Sequence, residues 1–288
     1  MIKKGIILAG GHGTRLSPLT KIINKQLLPL YDKPIIYYPL SVLMLAGIKD
    51  ILIIVNLGQK KYFEKIFGNG SDLGLKIEYA EQPNPGGLPQ AFIIGEKFIN
   101  GGSVVLILGD NFFYGQGFTK RINKIIKQKK GSTIFAYYVG NPYDYGIVEI
   151  NKKNKIKRIV EKPKKPKSSL AITGLYFFDK KVVEIAKKLK PSKRNELEMV
   201  DILNKYLKNN ELKVEFMGRG SAWLDTGDIK SLYEASQFVS SIEQRQGLKI
   251  ACVEEIAFKN KWITKEKIKK RIKFYGNCKY SDYLAKIV

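Results

Sequence analysis

The sequence predicts an α/β fold with a mainly parallel, Rossmann-like sheet flanked by helices, an antiparallel portion and a helical C-terminal segment. Three observations predict it. The runs at 6–9, 50–55 and 103–110 are apolar, as in strands buried on both faces. Such runs alternate with helix-like segments up to about residue 139. Between about 140 and 180, strands follow one another through short connections, which is typical of antiparallel pairs.

The elements follow in a regular order along the chain. The first half of the sequence predicts strands at 6–9, 50–55, 75–80, 103–110 and 132–139, and helices at 59–68, 87–99 and 118–130. The second half predicts strands at 145–151, 156–163, 170–178 and 212–218, helices at 180–190 and 195–209, and mostly helix after 228, with a less regular stretch near 248–262. We expect a core of residues 1–228, with parts of about 1–110 and 111–228, and a packed segment of residues 229–288.

Composition narrows the functional class. The 288 residues are 44% hydrophobic, and no apolar run is long enough to span a membrane, so we expect a soluble, cytoplasmic protein. Cys252 and Cys278 are the only cysteines, which suits a reducing compartment. His12 is the only histidine, which excludes histidine-rich zinc sites and Ser-His-Asp catalysis. The net charge is +25, but only seven of the 51 basic residues are arginine, so we predict acidic small substrates rather than nucleic acid.

A glycine-rich loop follows the first strand. Gly10, Gly11 and Gly13 permit positive φ, and successive backbone N–H groups in such a loop form a concavity that suits an anion. The loop lacks the P-loop pattern, and Leu16 stands where the dinucleotide fingerprint needs its third glycine. A plain strand-to-helix turn would explain the glycines equally well. Arg15 and the lysines that follow favour an anion site.

Two aspartates follow predicted strands. Asp110 comes after "VVLILG", and Asp225 lies in "AWLDTG". Ligands of open parallel sheets bind outside the carboxyl ends of the strands. Two carboxylates without histidine suit Mg²⁺, which prefers oxygen ligands. Each aspartate also has a plainer interpretation, Asp110 as the cap of a helix over "NFFYG" and Asp225 as a turn residue.

Two further segments carry candidate binding groups. Glu161 and Lys162 would point to opposite faces of a regular strand, and could share a ligand only if the strand bends, which Pro163 encourages. Taken alone, an exposed Glu–Lys pair is the favoured interpretation. Gln82 lies in a proline- and glycine-rich loop, where a carboxamide could pair with the edge of a pyrimidine base or serve as a polar loop residue.

Together the motifs match one family in order and spacing. The segments "LAGGHGTRL", "KQLLPLYDKPIIYYPL", "GDNFFYG", "YGIVE", "EKP", "TGLYFFD" and "WLDTG" resemble those of sugar-1-phosphate nucleotidylyltransferases, most closely those that act on dTTP and glucose 1-phosphate. The resemblance runs from about residue 3 to about residue 258. It implies a Mg²⁺-dependent reaction that yields dTDP-glucose and pyrophosphate, the first step of dTDP-deoxysugar synthesis of the dTDP-rhamnose type. It also implies a homotetramer.

The resemblance assigns roles to individual residues. The implied nucleotide-binding residues are Leu8, Gly10, Gly11, Gly13, Thr14, Arg15, Gln82 and Gly87. The implied catalytic residues are Arg15 and Lys25, which neutralise the triphosphate, and Lys162, which holds the sugar phosphate. The implied sugar-phosphate site contains Asn111, Tyr145, Gly146, Glu161, Lys162, Ile172, Gly174 and Tyr176, and Asp110 and Asp225 hold the metal. A regulatory pocket at a subunit interface, which binds the pathway's end product in the family, is implied by Tyr114, Gly115, Arg219, Lys249, Glu255 and Ile256.

Four positions depart from the family's pattern. His12 replaces a small residue of the phosphate loop, Gly86 an acidic residue, Pro89 an alanine and Gln116 a histidine of the regulatory stretch. Gly86 and Pro89 flank the base-reading position, so a uridylyltransferase that prefers UTP remains the alternative, because uracil and thymine share a pairing edge. A catalytically silent regulator would be expected to lack one of the charged residues assigned to catalysis or metal binding, and all of them are present.

Overall fold

The computed structural model describes residues 1–152 and 155–288, and contains thirteen strands and eleven helices within them. The strands are β1 Lys4–Ala9, β2 Pro29–Leu30, β3 Lys33–Pro34, β4 Asp50–Asn56, β5 Lys76–Gln82, β6 Val104–Leu108, β7 Asn111–Gly115, β8 Ser132–Tyr138, β9 Gly146–Ile150, β10 Ile156–Glu161, β11 Leu170–Phe178, β12 Leu212–Phe216 and β13 Ser221–Asp225. The helices are α1 Tyr37–Leu45, α2 Lys60–Phe67, α3 Gln90–Ile94, α4 Glu96–Ile99, α5 Phe118–Ile125, α6 Val182–Lys187, α7 Met199–Lys208, α8 Ile229–Gln246, α9 Val253–Lys259, α10 Lys265–Tyr275 and α11 Lys279–Lys286.

A nine-stranded mixed sheet forms the centre of the fold. β5, β4, β1 and β6 are parallel neighbours, β11 runs antiparallel beside β6, and β8 and β12 complete that side. β9 pairs with β11 at Ala171, past the point where β6 ends, and β10 pairs antiparallel with β9. The predicted fold class is confirmed, with the antiparallel strands extending the sheet beyond the carboxyl end of β6.

The parallel strands are buried because helices cover both faces. β1 and β4 are buried along almost their whole length, as their continuous apolar sequences require. Buried residues fall into two large clusters, one of which joins Ile36 and Phe67 to Ile268 and Leu284 of the C-terminal helices. The C-terminal helices therefore share an apolar cluster with the segment around α1 and with α2, and α9 packs against α1. No helix in the described part of the chain is long and apolar enough to cross a membrane.

The short strands β2, β3 and β13 were not predicted, and four further elements differ from the sequence prediction. The helix predicted at 87–99 is two short helices, because a Cβ at Gly95 would lie 2.9 Å from Ile6 Cδ1 and the chain turns at this close contact. α1 was not predicted, because it is apolar all round and has no amphipathic pattern. α9 is a regular helix inside the stretch expected to be less regular. "NFFYG" is strand β7, so the interpretation of Asp110 as a helix cap is wrong.

Candidate active site

The glycine loop turns at the carboxyl end of β1. Gly11 and Gly13 have φ of 94° and 60°, a region that side chains disfavour. A short 3₁₀ turn, Thr14–Leu16, follows, and a Cβ at Gly13 would lie 2.8 Å from Thr20 Cγ2. Leu8 is buried within β1, whereas Thr14 and Arg15 are exposed. The loop thus presents backbone and cationic groups at the sheet edge, as an anion site requires.

Two carboxylates lie side by side next to this loop. Asp225 ends β13 and is the register partner of Asn111, while the N–H and the hydroxyl of Thr226 donate to the Asp110 carbonyl at 3.1 and 2.8 Å. Asp110 forms an ion pair with Lys25. A Cβ at Gly227 would lie 2.7 Å from Arg15 Nη2 and 2.9 Å from Asp225 Oδ1, so this arginine and this aspartate are close neighbours. The fold therefore brings together two aspartates that lie 115 positions apart in sequence, and their role as metal ligands stays a prediction.

The two carboxyl groups have different affinities for protons. Burial and then the negative charge of Asp110 raise the pKa of Asp225 to about 6, against the opposing charges of Lys25 and Arg15. Burial also acts to raise the pKa of Asp110, but the charge and hydrogen bond of Lys25, with a hydrogen bond from Asn111, lower it overall. Negative charge at this site is thus only partly compensated, which favours a bound cation.

The predicted sugar-phosphate residues surround a cavity of about 270 Å³ next to the carboxylates. The cavity is lined by Arg15, Asp110, Asn111, Tyr145, Gly146, Glu161, Lys162, Ile172, Gly174, Tyr176 and Asp225 among others. β9, β10, β11 and the residues directly flanking them supply seven of the eight predicted sugar-phosphate residues, because these strands extend the sheet past the end of β6. All eight predicted sugar-phosphate residues therefore meet in one cavity, although their roles stay predictions.

Glu161 and Lys162 reach this cavity together because the strand bends between them. Lys162 has a φ of 40°, an unfavourable conformation for a lysine before a proline, and its N–H donates to Tyr145 O at 3.1 Å. The expectation that both residues could share a ligand only at a bend agrees with this geometry. Burial and then the charge of Glu198 raise the pKa of Glu161.

Asn111 supports the cavity floor from beneath. Its Oδ1 accepts from Gly174 N at 3.0 Å and from Trp223 Nε1 at 2.6 Å, and its Nδ2 donates to Asp110 Oδ1 at 3.1 Å. A Cβ at Gly174 would lie 2.4 Å from Asn111 Oδ1, so only glycine fits there. Because its Oδ1 accepts two hydrogen bonds and its Nδ2 donates one, Asn111 holds the Asp110 carboxylate and the cavity wall in place. The sequence did not predict this supporting role.

The predicted base-reading residues border both the glycine loop and the sugar cavity. Gln82 is buried at the end of β5, and its Nε2 donates to Gln90 Oε1 at 2.5 Å. A Cβ at Gly10 would lie 2.3 Å from Gln82 Oε1, which explains the glycine at that position. Gly87 has a φ of 100°, and a Cβ there would lie 2.1 Å from Leu197 O. The two loops that carry Gly87 and Leu197 therefore pack directly together.

Arg194 and Trp223 are among the cavity-lining residues that the sequence did not predict. Arg194 lines the cavity and pairs with Glu198 at 2.6 Å and with Glu161 at 3.4 Å. In the sequence, the only indication of this role is that Arg194 is followed closely by Glu196 and Glu198. Trp223 packs on Tyr145 with ring centroids 5.3 Å apart, and it is one of only two tryptophans in the chain.

A second cavity, of about 900 Å³, contains most of the predicted regulatory residues. It is lined by Tyr114, Gly115, Gln116, Lys249, Glu255 and Ile256 among others. Arg219 is exposed and is not among the lining residues, although its neighbour Gly220 is. Tyr283 donates to Glu255 Oε2 at 2.6 Å and so ties this cavity to α11.

A known protein family matches most of the chain. Residues 4–242 match the nucleotidyl transferase family. This range is more than half of the chain and includes the glycine loop, both aspartates and the sugar-phosphate cavity. The chain belongs to the nucleotidyl transferase family, which confirms the predicted enzyme class.

Individual relatives narrow the class. A glucose-1-phosphate thymidylyltransferase of Neisseria meningitidis is 53% identical over 285 residues, 99% of each chain. A crystal structure of a Bacillus anthracis protein described as a glucose-1-phosphate thymidylyltransferase, in complex with sucrose, is similar with a TM-score of 0.76 and 40% identity, over 82% of this chain and 94% of the other. UDP-glucose pyrophosphorylase in complex with UDP-glucose has a TM-score of 0.74 at 26% identity, over 84% and 100% of the two chains. The thymidylyltransferases are therefore the more similar group, as the motifs predicted.

Proposed function

We propose that this protein transfers the thymidylyl group of dTTP to glucose 1-phosphate, releasing pyrophosphate and forming dTDP-glucose. The observation that carries the proposal is the shared wall between the glycine loop and the sugar cavity, where Arg15, Lys162 and the two aspartates meet. An anion site beside a cavity with its own cations is the arrangement needed to bring two phosphate-bearing substrates together. The Neisseria meningitidis and Bacillus anthracis relatives carry the same activity in their names.

The chemistry is an in-line displacement at phosphorus. An oxygen of the sugar phosphate attacks the α-phosphorus of dTTP, the new P–O bond forms, and the bond to the β-phosphate oxygen breaks as pyrophosphate leaves. No covalent enzyme intermediate is needed, so the protein acts by positioning and by neutralising charge. Lys162 holds the attacking phosphate, while Arg15 and Lys25 neutralise the triphosphate. Gln82 and Gly87 read the base.

The donor set fits a magnesium ion. Asp110 and Asp225 would hold it, and bound Mg²⁺ would offset negative charge on the phosphates. In the described part of the chain, no cluster of three or more His, Cys, Asp or Glu could hold a metal ion. Mg²⁺ commonly takes one or two carboxylates and completes its shell with water and phosphate oxygens. The Lys25 ammonium pairs with Asp110.

A uridylyltransferase with the same sugar substrate is the second candidate. The similarity to UDP-glucose pyrophosphorylase supports it. A carboxamide such as that of Gln82 pairs equally well with uracil and with thymine. The higher identity of the thymidylyltransferases favours dTTP.

Regulation, assembly and location follow from the resemblance. The second cavity, beside Tyr114 and Lys249, is our candidate for feedback control by the pathway's end product. The assembly is a homotetramer with this cavity at a subunit interface. Both cysteines are free, which suits the reducing cytoplasm.

Pyrophosphate release from glucose 1-phosphate with each nucleoside triphosphate in turn tests the function. We expect dTTP to be a good substrate, UTP a weaker one, and CTP, ATP and GTP poor, because a site that hydrogen-bonds one edge rejects edges that leave its groups unpaired. Omitting glucose 1-phosphate is the control. Turnover of a purine nucleotide as fast as dTTP would show that Gln82 and Gly87 do not read the base.

A further inference from the structure

The side-chain amide of Asn56 forms hydrogen bonds with both the N–H and the carbonyl of Gly11 in the glycine loop. Gly11 N–H donates to Asn56 Oδ1 at 2.8 Å, and Asn56 Nδ2 donates to Gly11 O at 2.9 Å. Asn56 is the last residue of β4, the neighbour of β1 in the parallel sheet. The most mobile residue type of the loop, a glycine at φ 94°, is therefore tied to a rigid strand by two hydrogen bonds.

We call these two hydrogen bonds the Asn56 clamp. Asn56 also lies next to other predicted residues of the nucleotide site. Asn56 is the register partner of Gln82, and a Cβ at Gly10 would lie 3.4 Å from Asn56 Oδ1 as well as 2.3 Å from Gln82 Oε1. One strand end thus contacts the phosphate loop and stands beside the predicted base-reading residue.

The clamp leaves the next amides of the loop available. Within residues 1–152 and 155–288, no group accepts from the backbone N–H of His12 or of Gly13. Successive unpaired N–H groups after a fixed glycine are the donors that a phosphate needs. Fixing Gly11 also removes conformational freedom that binding would otherwise have to remove.

We infer that Asn56 is a positioning residue for the nucleotide: through Gly11, it holds the phosphate-binding loop in the conformation that receives the triphosphate of dTTP. This role rests on the proposed function of the site. It predicts a defect confined to the nucleotide, because Asn56 lies outside the residues that line the sugar cavity.

The test is a graded pair of variants. Asn56→Leu removes both hydrogen bonds at similar volume, and Asn56→Thr can restore one of them. We expect the Kd of dTTP, measured by calorimetry, to rise about tenfold in Asn56→Leu and about threefold in Asn56→Thr. The KM for glucose 1-phosphate at saturating dTTP should stay within twofold. Without nucleotide, the Gly11 amide should exchange its hydrogen faster in Asn56→Leu.

The matched control is Asn69→Leu. Asn69 is an exposed amide whose Oδ1 accepts from Ser71 N at 3.1 Å, in the turn before β5 at the opposite edge of the sheet. This variant should bind dTTP as the natural chain does. Unchanged dTTP affinity or unchanged Gly11 exchange in Asn56→Leu would overturn the inference. So would a parallel loss of both substrates and of thermal stability, which marks a general structural defect. Failure of the natural chain to bind dTTP would instead overturn the proposed function.

Discussion

The two sides of the active site are built from different parts of the chain and by different means. On the nucleotide side, a glycine loop offers backbone N–H groups and Arg15 at an open sheet edge, and Lys25 from a later turn lies beside the loop. On the sugar side, antiparallel strands surround a cavity with side chains, such as Tyr145 and Tyr176, that are fixed by packing. The glycine-rich side is therefore held by hydrogen bonds from a neighbouring strand, such as those of Asn56, whereas the sugar side is held by close packing.

The largest effect should come from the carboxylates where the two sides meet. Asp110→Asn and Asp225→Asn keep the shape but remove a charge, so activity should fall by roughly two orders of magnitude or more if metal binding is lost. Excess Mg²⁺ should restore part of it. The double variant should cost little more than either single one, because the two act as a unit. Full metal-dependent activity in a single variant, measured by pyrophosphate release, would make that carboxylate a purely structural residue.

The next largest effect should separate the two substrates. Lys162→Ala removes charge-assisted hydrogen bonds of roughly 1.5–3 kcal/mol, so the glucose 1-phosphate requirement should rise about ten- to hundredfold while dTTP binding barely changes. Equilibrium binding of each substrate measures this. Lys165→Ala, which changes an exposed lysine of the adjoining loop, is the control. A variant that lost dTTP and kept glucose 1-phosphate would reverse the assignment of the two sides.

Close packing on the sugar side predicts a loss of stability. Gly174→Ala places a methyl group 2.4 Å from Asn111 Oδ1, and overpacking of this kind costs about 1–3 kcal/mol of unfolding free energy. Denaturant unfolding measures it. Gly140→Ala is the control, since none of the described atoms lies within 4 Å of a Cβ there. Equal stability of the two variants would show that the cavity wall yields easily.

The smallest expected effect concerns the pH dependence of stability. Because burial and Asp110 raise the pKa of Asp225 to about 6, the folded state without metal binds this proton more strongly than the unfolded chain. Its contribution to stability is therefore present at low pH and is lost as pH rises from about 4 to about 6. Asp225→Asn should gain about 1 kcal/mol over the natural chain across this range, less than the limit of about 3 kcal/mol set by the shift.

Thermal unfolding in the presence of a chelator measures this gain. The quantity is the difference in unfolding free energy between Asp225→Asn and the natural chain at each pH. Asp144→Asn, an exposed aspartate at the cavity mouth, is the control and should show a smaller change. If this difference in unfolding free energy stayed constant between pH 4 and pH 7, the pKa of Asp225 would not be raised in the folded protein.

Sequence patterns predicted the strands well because burial on both faces leaves a continuous apolar run. They failed where packing decides the structure. α1 is apolar all round, so its sequence carries no periodic signal, and the break at Gly95 depends on its contact with Ile6 and Leu52. Strand β7 forms because β13, more than 100 residues later, pairs with it. The same holds for the site: local sequence identified the candidate residues, whereas the contacts between them depend on packing of distant segments.

By itself, the sequence determined the fold class, the glycine loop, the two aspartates that follow strands and the family, because each is carried by local residue types in a fixed order. Only the tertiary structure decided how these residues contact one another. It places the bend at Lys162 and the ion pair of Arg194 with Glu198. It also sets the hydrogen bonds from Gly174 to Asn111 and from Gly11 to Asn56. These features are contacts between distant segments. Whether a polar side chain is a free ligand or a brace depends on the partner it meets in space, and local sequence does not encode that partner.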